Sequence, residues 1–359
     1  MKLLIQPGDG PEALLAGIRN ARKTIEIAIF RFDRAEIEAA LKAAVGRGVA
    51  VSALIAYTNR GGEINLRKLE MRLLAVGVAV SRTADDLVRY HDKLVIIDRR
   101  LLYVLSFNFT HLDIDHSRGF GIVTRNTRLI HEAVKLFEAD TTRNPYTPTL
   151  DTFVVSPANA RKVLGDFIRK ARKELLIYDP KIADPEMLRA LSERKAAGVE
   201  IKVIGRVSKQ HPGLNVRELA KIRLHTRTIV RDRRQAFLGS QSLRMAELDS
   251  RREVGVIVRE PKVVNGLIKT FEMDWAASAM KENEQTEASL NDIKKAVKEL
   301  VKELSPLSPI VEEAIKEAES ESGGAGLSQQ EMKETVKEAV KEAVRERVEE
   351  MVKESLEAS

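Results

Sequence analysis

The sequence predicts an α/β protein made of two homologous α/β halves packed as a pseudo-twofold pair, followed by a C-terminal helical tail. Three observations predict it. Segments of helical and strand periodicity alternate in the same order twice. Both alternations lead to a histidine-containing segment that can be aligned without a gap, and the composition changes near residue 281.

Between residues 13 and 57 the chain reads helix, strand, helix, strand, in ALLAGIRNARK, TIEIAIFRF, RAEIEAALKAAVGRG and VAVSALIAY. Apolar residues recur every three or four positions in the helical pieces and cluster in short β-branched runs between them. Residues 159–205 repeat the order in NARKVLGDFIRKARK, ELLIYDP, DPEMLRALSERKAAG and VEIKVIG. A glycine ends the second helix of each copy, at Gly48 and Gly198, where a left-handed residue stops a helix. The segment TRNPYTPTLD, rich in proline and polar residues, suits a connector, so the halves are set at 1–145 and 146–280.

The third segment, 281–359, is rich in Glu, Lys, Ala and Val and lacks aromatic residues. LSPLSP and SESGGAGLSQQ read as linkers. Val336, Val340, Val344, Val348 and Val352 lie four apart and form a stripe that drifts by about 40° per step around a helix. Such a helix is either solvated alone or self-associating. The tail carries 12 Lys and Arg against 20 Asp and Glu, whereas residues 1–280 carry 48 against 33. A basic body suits an anionic partner, and the acidic tail argues against its own docking on anionic lipid.

The absence of cysteine excludes disulfides, thiol catalysis and cysteine-ligated metals. No apolar run approaches about 18 residues and the start lacks a signal-peptide core, so the expected location is cytoplasmic, with any membrane contact peripheral.

The chemistry resides in RYHDKLVIID and RLHTRTIVRD. Aligned on their histidines, His91 falls on His225, Lys93 on Arg227, Asp98 on Asp232, Ser106 on Ser240, Asn108 on Ser242, Arg118 on Arg252 and Gly121 on Gly255. Residues two apart on a strand share a face, so each histidine and its following cation point the same way. Asp98 and Asp232 lie at odd spacing and take a mainly supporting role. If the halves face each other about a twofold axis, one pocket gathers two imidazoles and two cations. A neutral histidine there can attack phosphorus, a second can shuttle the proton, and the cations can hold the phosphate oxygens. Such chemistry needs no metal or other cofactor.

The His91-x-Lys93 pair with Asp98, Ser106 and Asn108 following, present in a second copy, resembles the HKD signature of the phospholipase D superfamily. The resemblance covers about residues 1–278 and implies two phospholipase D-like halves and a covalent phosphohistidine formed without metal. It implies catalytic roles for His91, Lys93, Asp98, His225, Arg227 and Asp232. It also implies substrate binding by Ser106, Asn108, Ser240 and Glu253. Family precedent favours His91 as the nucleophile. The sequence departs from the pattern at Arg227, where Lys is usual, at Ser242, where Asn is usual, and at Gly119, the first-half position matching Glu253.

Other features have blander readings. HLDIDH at 111–116 could offer His111, Asp113 and Asp115 to a metal, but reads better as a polar turn. NRGGE at 59–63 reads as a turn, Asp85 and Asp86 as ligand contacts or helix caps, Trp275 as a packing residue, and Phe107 and Phe109 as a lipid mouth or core. Three functions follow: a phosphodiesterase or phosphatidyltransferase acting on phospholipid headgroups, a nuclease of the same superfamily, or a non-catalytic phosphate-binding scaffold. The first leads, because 4% aromatic content is too low for an extended base-stacking platform. The expected partners are a phospholipid or other phosphodiester substrate, with nucleic acid as the alternative, an anionic membrane surface, and a second copy through the tail.

Overall fold

Apolar β-branched runs flanked by amphipathic helices build two sheets of the same design. The computed structural model describes residues 1–57, 63–208, 214–219 and 221–282. The tail, the turn at 59–62 and His211 lie outside the described residues.

In the first sheet the strands run Lys2–Gln6, Ser117–Thr124, Leu101–Leu105, Leu94–Ile97, Thr24–Ala28, Ala50–Ile55, Ala79–Arg82. In the second they run Phe153–Val155, Val254–Val258, Gln235–Gly239, Arg227–Arg231, Glu174–Ile182, Glu200–Val207, Asn215–Arg217, which is the same order. The helices expected in each copy form at Glu12–Asn20 and Ala35–Gly46, and at Ala160–Arg169 and Pro185–Ala196. Gly48 and Gly198 adopt φ of +83° and +84°, the left-handed geometry that ends the second helix of each copy.

The strand after His91, Leu94–Ile97, carries an unbroken apolar run because both its faces are buried, whereas its counterpart after His225, Arg227–Arg231, buries only Thr228, Ile229 and Val230 between half-buried arginines. Val95 and Ile97 join the outer core of the first half, whereas Leu94 and Ile96 join a core to which both sheets contribute. That shared core brings Phe120, Leu102 and Val104 together with Phe153, Tyr178, Leu238 and Val256, and includes residues of helices Thr127–Thr142 and Pro261–Glu282. Trp275, on the last helix, stacks on Phe271 and lies under the Arg217 guanidinium at 4.2 Å. Phe107 and Phe109 are buried in the first-half core and form no lipid mouth.

Two reciprocal strand exchanges lock the halves. Arg251–Arg252 pairs with Arg89–Tyr90, and Arg223–Leu224 pairs with Ser117–Arg118. The arginine behind each exchange is pinned by an aspartate from the other half. Arg118 donates to both oxygens of Asp274 at 2.7 and 2.8 Å and to the Gln6 carbonyl at 2.9 Å. Arg252, its pseudo-twofold mate, donates to Asp140 at 2.9 Å and to the Ser156 carbonyl at 3.1 Å. The Tyr178 hydroxyl adds a 2.7 Å bond to Asp274.

Removing one partner of a buried ion pair leaves an uncompensated charge and typically costs about 3–5 kcal/mol. Asp274→Ala is expected to lose stability on that scale in urea unfolding. An effect below about 1 kcal/mol would show that this contact does not fasten the halves.

Candidate active site

The strand exchanges bring each histidine to the opposite half. The His91 N–H donates to the Arg252 carbonyl at 2.8 Å, and the His225 N–H donates to the Arg118 carbonyl at 3.1 Å. Side chains repeat the crossing. His91 Nδ1 lies 3.1 and 3.0 Å from the two carboxylate oxygens of Glu253, and His225 Nδ1 lies 3.0 Å from Asp113 Oδ2. At His91, where Nδ1–H meets the Glu253 carboxylate, the lone pair of the neutral imidazole resides on Nε2; His225 Nδ1 is within ion-pair distance of Asp113 but not aligned for a hydrogen bond.

Lys93 and Arg227 occupy equivalent places. Lys93 Nζ donates to the His91 carbonyl at 2.6 Å, and Arg227 donates to the His225 carbonyl at 2.8 Å and to Ser242 Oγ at 3.2 Å. The second motif's departures therefore fit each other: an arginine for lysine faces a serine for asparagine. Glu253, Arg227 and Asp113 all act electrostatically on Lys93, so the carboxylates of both histidine–carboxylate pairs favour its charge.

Burial sets the charge states. His91 is held well below the ordinary histidine range by burial, reinforced by Lys93, Arg227, Arg89 and Arg251. Burial also pushes Lys93 down to about 7, against the attraction of Glu253. Glu253 is pushed up to about 7 by burial and by Glu247 nearby. Asp113 behaves in the opposite way. Burial would raise it, but His225, Arg223 and the Asn108 N–H prevail and hold it below the ordinary carboxylate range. His225 is lowered by burial, and Asp113 opposes that shift.

Not every predicted residue reaches this centre. Asp98 and Asp232 sit beyond the far ends of the motif strands, in turns with φ of 52°, so they are not catalytic neighbours of the histidines. Their carboxylates accept the backbone N–H groups of Arg22, Lys23 and Thr24, and of Arg172, Lys173 and Glu174, at 2.6 to 3.2 Å. They anchor the loop entering each half's central strand. Ser106 and Ser240 are buried, and their hydroxyls accept the Phe120 N–H at 2.9 Å and the Val254 N–H at 3.1 Å, which tie them to the neighbouring strand. Asn108 donates its side-chain and backbone N–H groups to Asp113 Oδ2 at 2.7 and 2.9 Å, while its buried Oδ1 has no hydrogen-bond partner among the described residues.

Asp113 is the residue sequence reading missed. It begins no metal cluster. The helix His111–Asp115 is capped by Thr110, Asp113 serves His225 and Arg223, and Arg34 bridges His111 to Asp115. No group of three or more His, Cys, Asp or Glu able to hold a metal ion occurs among the described residues. Alignment places Glu247 opposite Asp113, and Glu247 accepts the Ser242 N–H at 2.7 Å as Asp113 accepts that of Asn108. A carboxylate at that offset in both copies was the available signal. Asp86, expected at a ligand or a cap, accepts the Tyr90 hydroxyl at 2.7 Å.

The pKa of Lys93 makes a stability prediction. Between about 7 and the ordinary 10.5 the native state binds fewer protons at this residue than the unfolded chain does. Its contribution therefore becomes more favourable as pH rises through that window and is most adverse below it. Lys93→Met is expected to raise stability more at pH 6 than at pH 9 in denaturant titrations. Equal gains at both values would contradict a depressed Lys93.

With this geometry in view, the chain can be compared with known proteins. The family model described as cardiolipin synthase, PLD-like domain, matches residues 14–141 and 164–275. Among solved structures, polyphosphate kinase from Porphyromonas gingivalis is similar with a TM-score of 0.63 at 20% identity, over 76% of this chain and 50% of that one. The present chain thus spans half the length of that kinase. Phosphatidylserine synthase from Haemophilus influenzae Rd KW20 is similar with a TM-score of 0.60 at 12% identity, over 86% of this chain and 93% of that one. Nuc from Salmonella typhimurium, a phospholipase D family member, aligns with 40% of this chain and 95% of its own at 22% identity, with a TM-score of 0.35. At such identities the likeness is one of fold. No curated protein matches the chain.

Proposed function

Because the chain belongs to the cardiolipin synthase, PLD-like domain family, and with it to the phospholipase D superfamily, we propose that it hydrolyses or exchanges phospholipid headgroups through a covalent phosphohistidine. The observation that carries the reading is the crossed pair of histidine–carboxylate contacts, His91 with Glu253 and His225 with Asp113.

His91 is the nucleophile in this reading. Its imidazole is kept neutral by burial and by the surrounding cations, so the Nε2 lone pair is available. As the P–N bond forms, the bond from phosphorus to the headgroup oxygen breaks, and the proton on His225 Nε2 passes to that oxygen. Asp113, held ionised beside His225, stabilises the imidazolium that must precede this transfer. An arriving phosphate adds negative charge and favours the same protonated state. In the second step His225 Nε2 takes a proton from water or an acceptor alcohol, whose oxygen attacks phosphorus and releases His91. Lys93 and Arg227 hold the phosphate oxygens throughout.

A scaffold would not account for this burial. Lys93 and Glu253 both sit far from their ordinary proton affinities, an arrangement that costs stability and accompanies catalytic sites. The lipid assignment is supported by the family description and by exposed Val88 and Met245, which flank the site in sequence among Arg89, Arg244 and Arg251. No helix of the described residues is long and apolar enough to cross a membrane, so substrate would be met at a surface. The basic excess of residues 1–280, 48 Lys and Arg against 33 Asp and Glu, supports a nuclease as the second reading.

Mass spectrometry of products formed in EDTA from mixed phospholipid liposomes and single-stranded DNA tests both. Phosphatidic acid or an exchanged headgroup is expected from wild type and not from His91→Ala or His225→Ala. Asp113→Asn is expected to slow turnover by about 10²- to 10⁴-fold, the usual range for general acid–base catalysis. Shortened DNA beside intact lipid would replace the lipid reading with the nuclease. Wild-type rates in either histidine variant would remove the two-histidine mechanism.

A further inference from the structure

We infer that Arg223 is a positioning residue for His225: it shares the Asp113 carboxylate with that histidine, so that His225 draws fully on Asp113 only once an anionic substrate is bound. The inference rests on the phospholipid reading above and deepens it, because it concerns how the proton-exchanging histidine is held ready between turnovers.

The strand exchange between the halves brings both side chains to one carboxylate. Arg223 is the register partner of Ser117, and its N–H donates to the His116 carbonyl at 3.3 Å. Two residues on, the His225 N–H donates to the Arg118 carbonyl at 3.1 Å. Residues two apart on an extended segment share a face, so Arg223 and His225 turn the same way. Both meet Asp113, on the helix His111–Asp115 of the other half. Arg223 Nη1 donates to Asp113 Oδ1 at 2.7 Å and to Ser117 Oγ at 3.3 Å, and the Ser117 hydroxyl donates to the Leu112 carbonyl at 2.8 Å. The guanidinium is thus fixed to the same helix that carries the carboxylate.

Both oxygens of Asp113 are engaged without a hydrogen bond from His225. Oδ1 accepts from Arg223, and Oδ2 accepts the backbone and side-chain N–H groups of Asn108 at 2.9 and 2.7 Å. His225 Nδ1 lies 3.0 Å from that Oδ2 but is not aligned to donate to it. The other histidine supplies the contrast, since His91 Nδ1 makes hydrogen bonds to both Glu253 oxygens at 3.1 and 3.0 Å. A carboxylate that shares its charge with a guanidinium draws a proton onto the neighbouring imidazole less strongly than one standing alone.

The charges facing His225 act in that sense. Burial lowers it to about 4; Asp113, from the helix, opposes the shift, and Arg227 and Arg223, from its own segment, add to it. Asp113 also acts on Lys93, the cation of the first motif. A phosphate held by Lys93 and Arg227 offsets the cations and favours the imidazolium, whose Nδ1–H then turns to Oδ2 while the Nε2 proton serves the leaving oxygen. Arg223 on Oδ1 and Asn108 on Oδ2 keep the carboxylate in place throughout.

NMR of the full chain labelled at its histidine nitrogens reads the proton on each imidazole directly, with His225→Gln assigning the His225 signal. Arg223→Gln and Arg223→Met, two neutral side chains of different shape, should each raise the His225 midpoint by about one unit, the lower end of the effect of a neighbouring charge. Arg223→Lys, which keeps the charge, should stay near wild type. The His91 signal, set by burial, Lys93, Arg227, Arg89 and Arg251, should keep its wild-type shift and so reports an intact site. Saturating inorganic orthophosphate, as the anion probe, should raise the wild-type His225 midpoint. A His225 midpoint that stays or falls in a neutral variant whose His91 signal is unchanged overturns the inference, as does an equal rise in Arg223→Lys or a midpoint indifferent to bound orthophosphate. With liposomes as substrate, the alkaline limb of kcat/KM should move to higher pH in the neutral variants, because His225 must carry a proton as the first step begins. A raised midpoint in a protein that turns over no lipid would remove the headgroup reaction and leave the role of Arg223 standing.

Discussion

The site depends on a crossed restraint. Each motif histidine is held by its backbone N–H to the carbonyl of an arginine in the other half, and each of those arginines is pinned by an aspartate belonging to the histidine's own half: Asp274 holds Arg118, which holds His225, and Asp140 holds Arg252, which holds His91. Neither chain of contacts closes within a single half. The imidazoles can therefore stay in fixed positions only while the halves remain packed, and the shared core of the two sheets supplies that packing. Stability and chemistry are joined here because the same bonds serve both.

The crossing also sets the electrostatics. His91 meets a carboxylate that burial has brought near neutral pH, whereas His225 meets one held ionised by Arg223 and the Asn108 amide. Four cations oppose a charge on His91, but Asp113 favours one on His225. Two imidazoles at equivalent positions of the two copies thus differ in their readiness to carry a proton. That difference is what a two-step displacement needs, one ring giving its lone pair while the other exchanges a proton. Glu247 contributes at one remove, since its own charge, stabilised by Arg227, Arg244 and Arg251, raises Glu253.

Much of this was legible in the sequence because it was written twice. Helix and strand periodicity gave the order of elements, and a gapless second copy turned His91 and His225 from ordinary strand residues into a pair. The odd spacing of Asp98 and Asp232 already pointed them away from the histidines, and both occupy remote turns. Asp113 escaped because its partners are distant in sequence: His225 and Arg223 lie 112 and 110 residues on. Local reading could see a polar turn or a metal-ligand set there, but not these partners. Ser106 and Ser240 were legible as important positions, whereas the bonds their hydroxyls accept from Phe120 and Val254 were not, because those partners lie 14 residues on.

Duplication explains why the two halves could diverge without losing the fold. Backbone restraints come in equivalent pairs, so each tolerates little change. Side chains are not so constrained: Gly119 stands where the other half has Glu253, and Ser117 where it has Arg251. A Cβ at Gly119 would lie 2.9 Å from Phe107, a buried core ring, so a glutamate at that position in the first half would have to displace the core. The first half supplies its carboxylate from the helix carrying Asp113, and the second half supplies its own from Glu253, the residue between strands Arg251–Arg252 and Val254–Val258. Packing at Gly119 thus excludes from the first half the glutamate that the second half places beside His91.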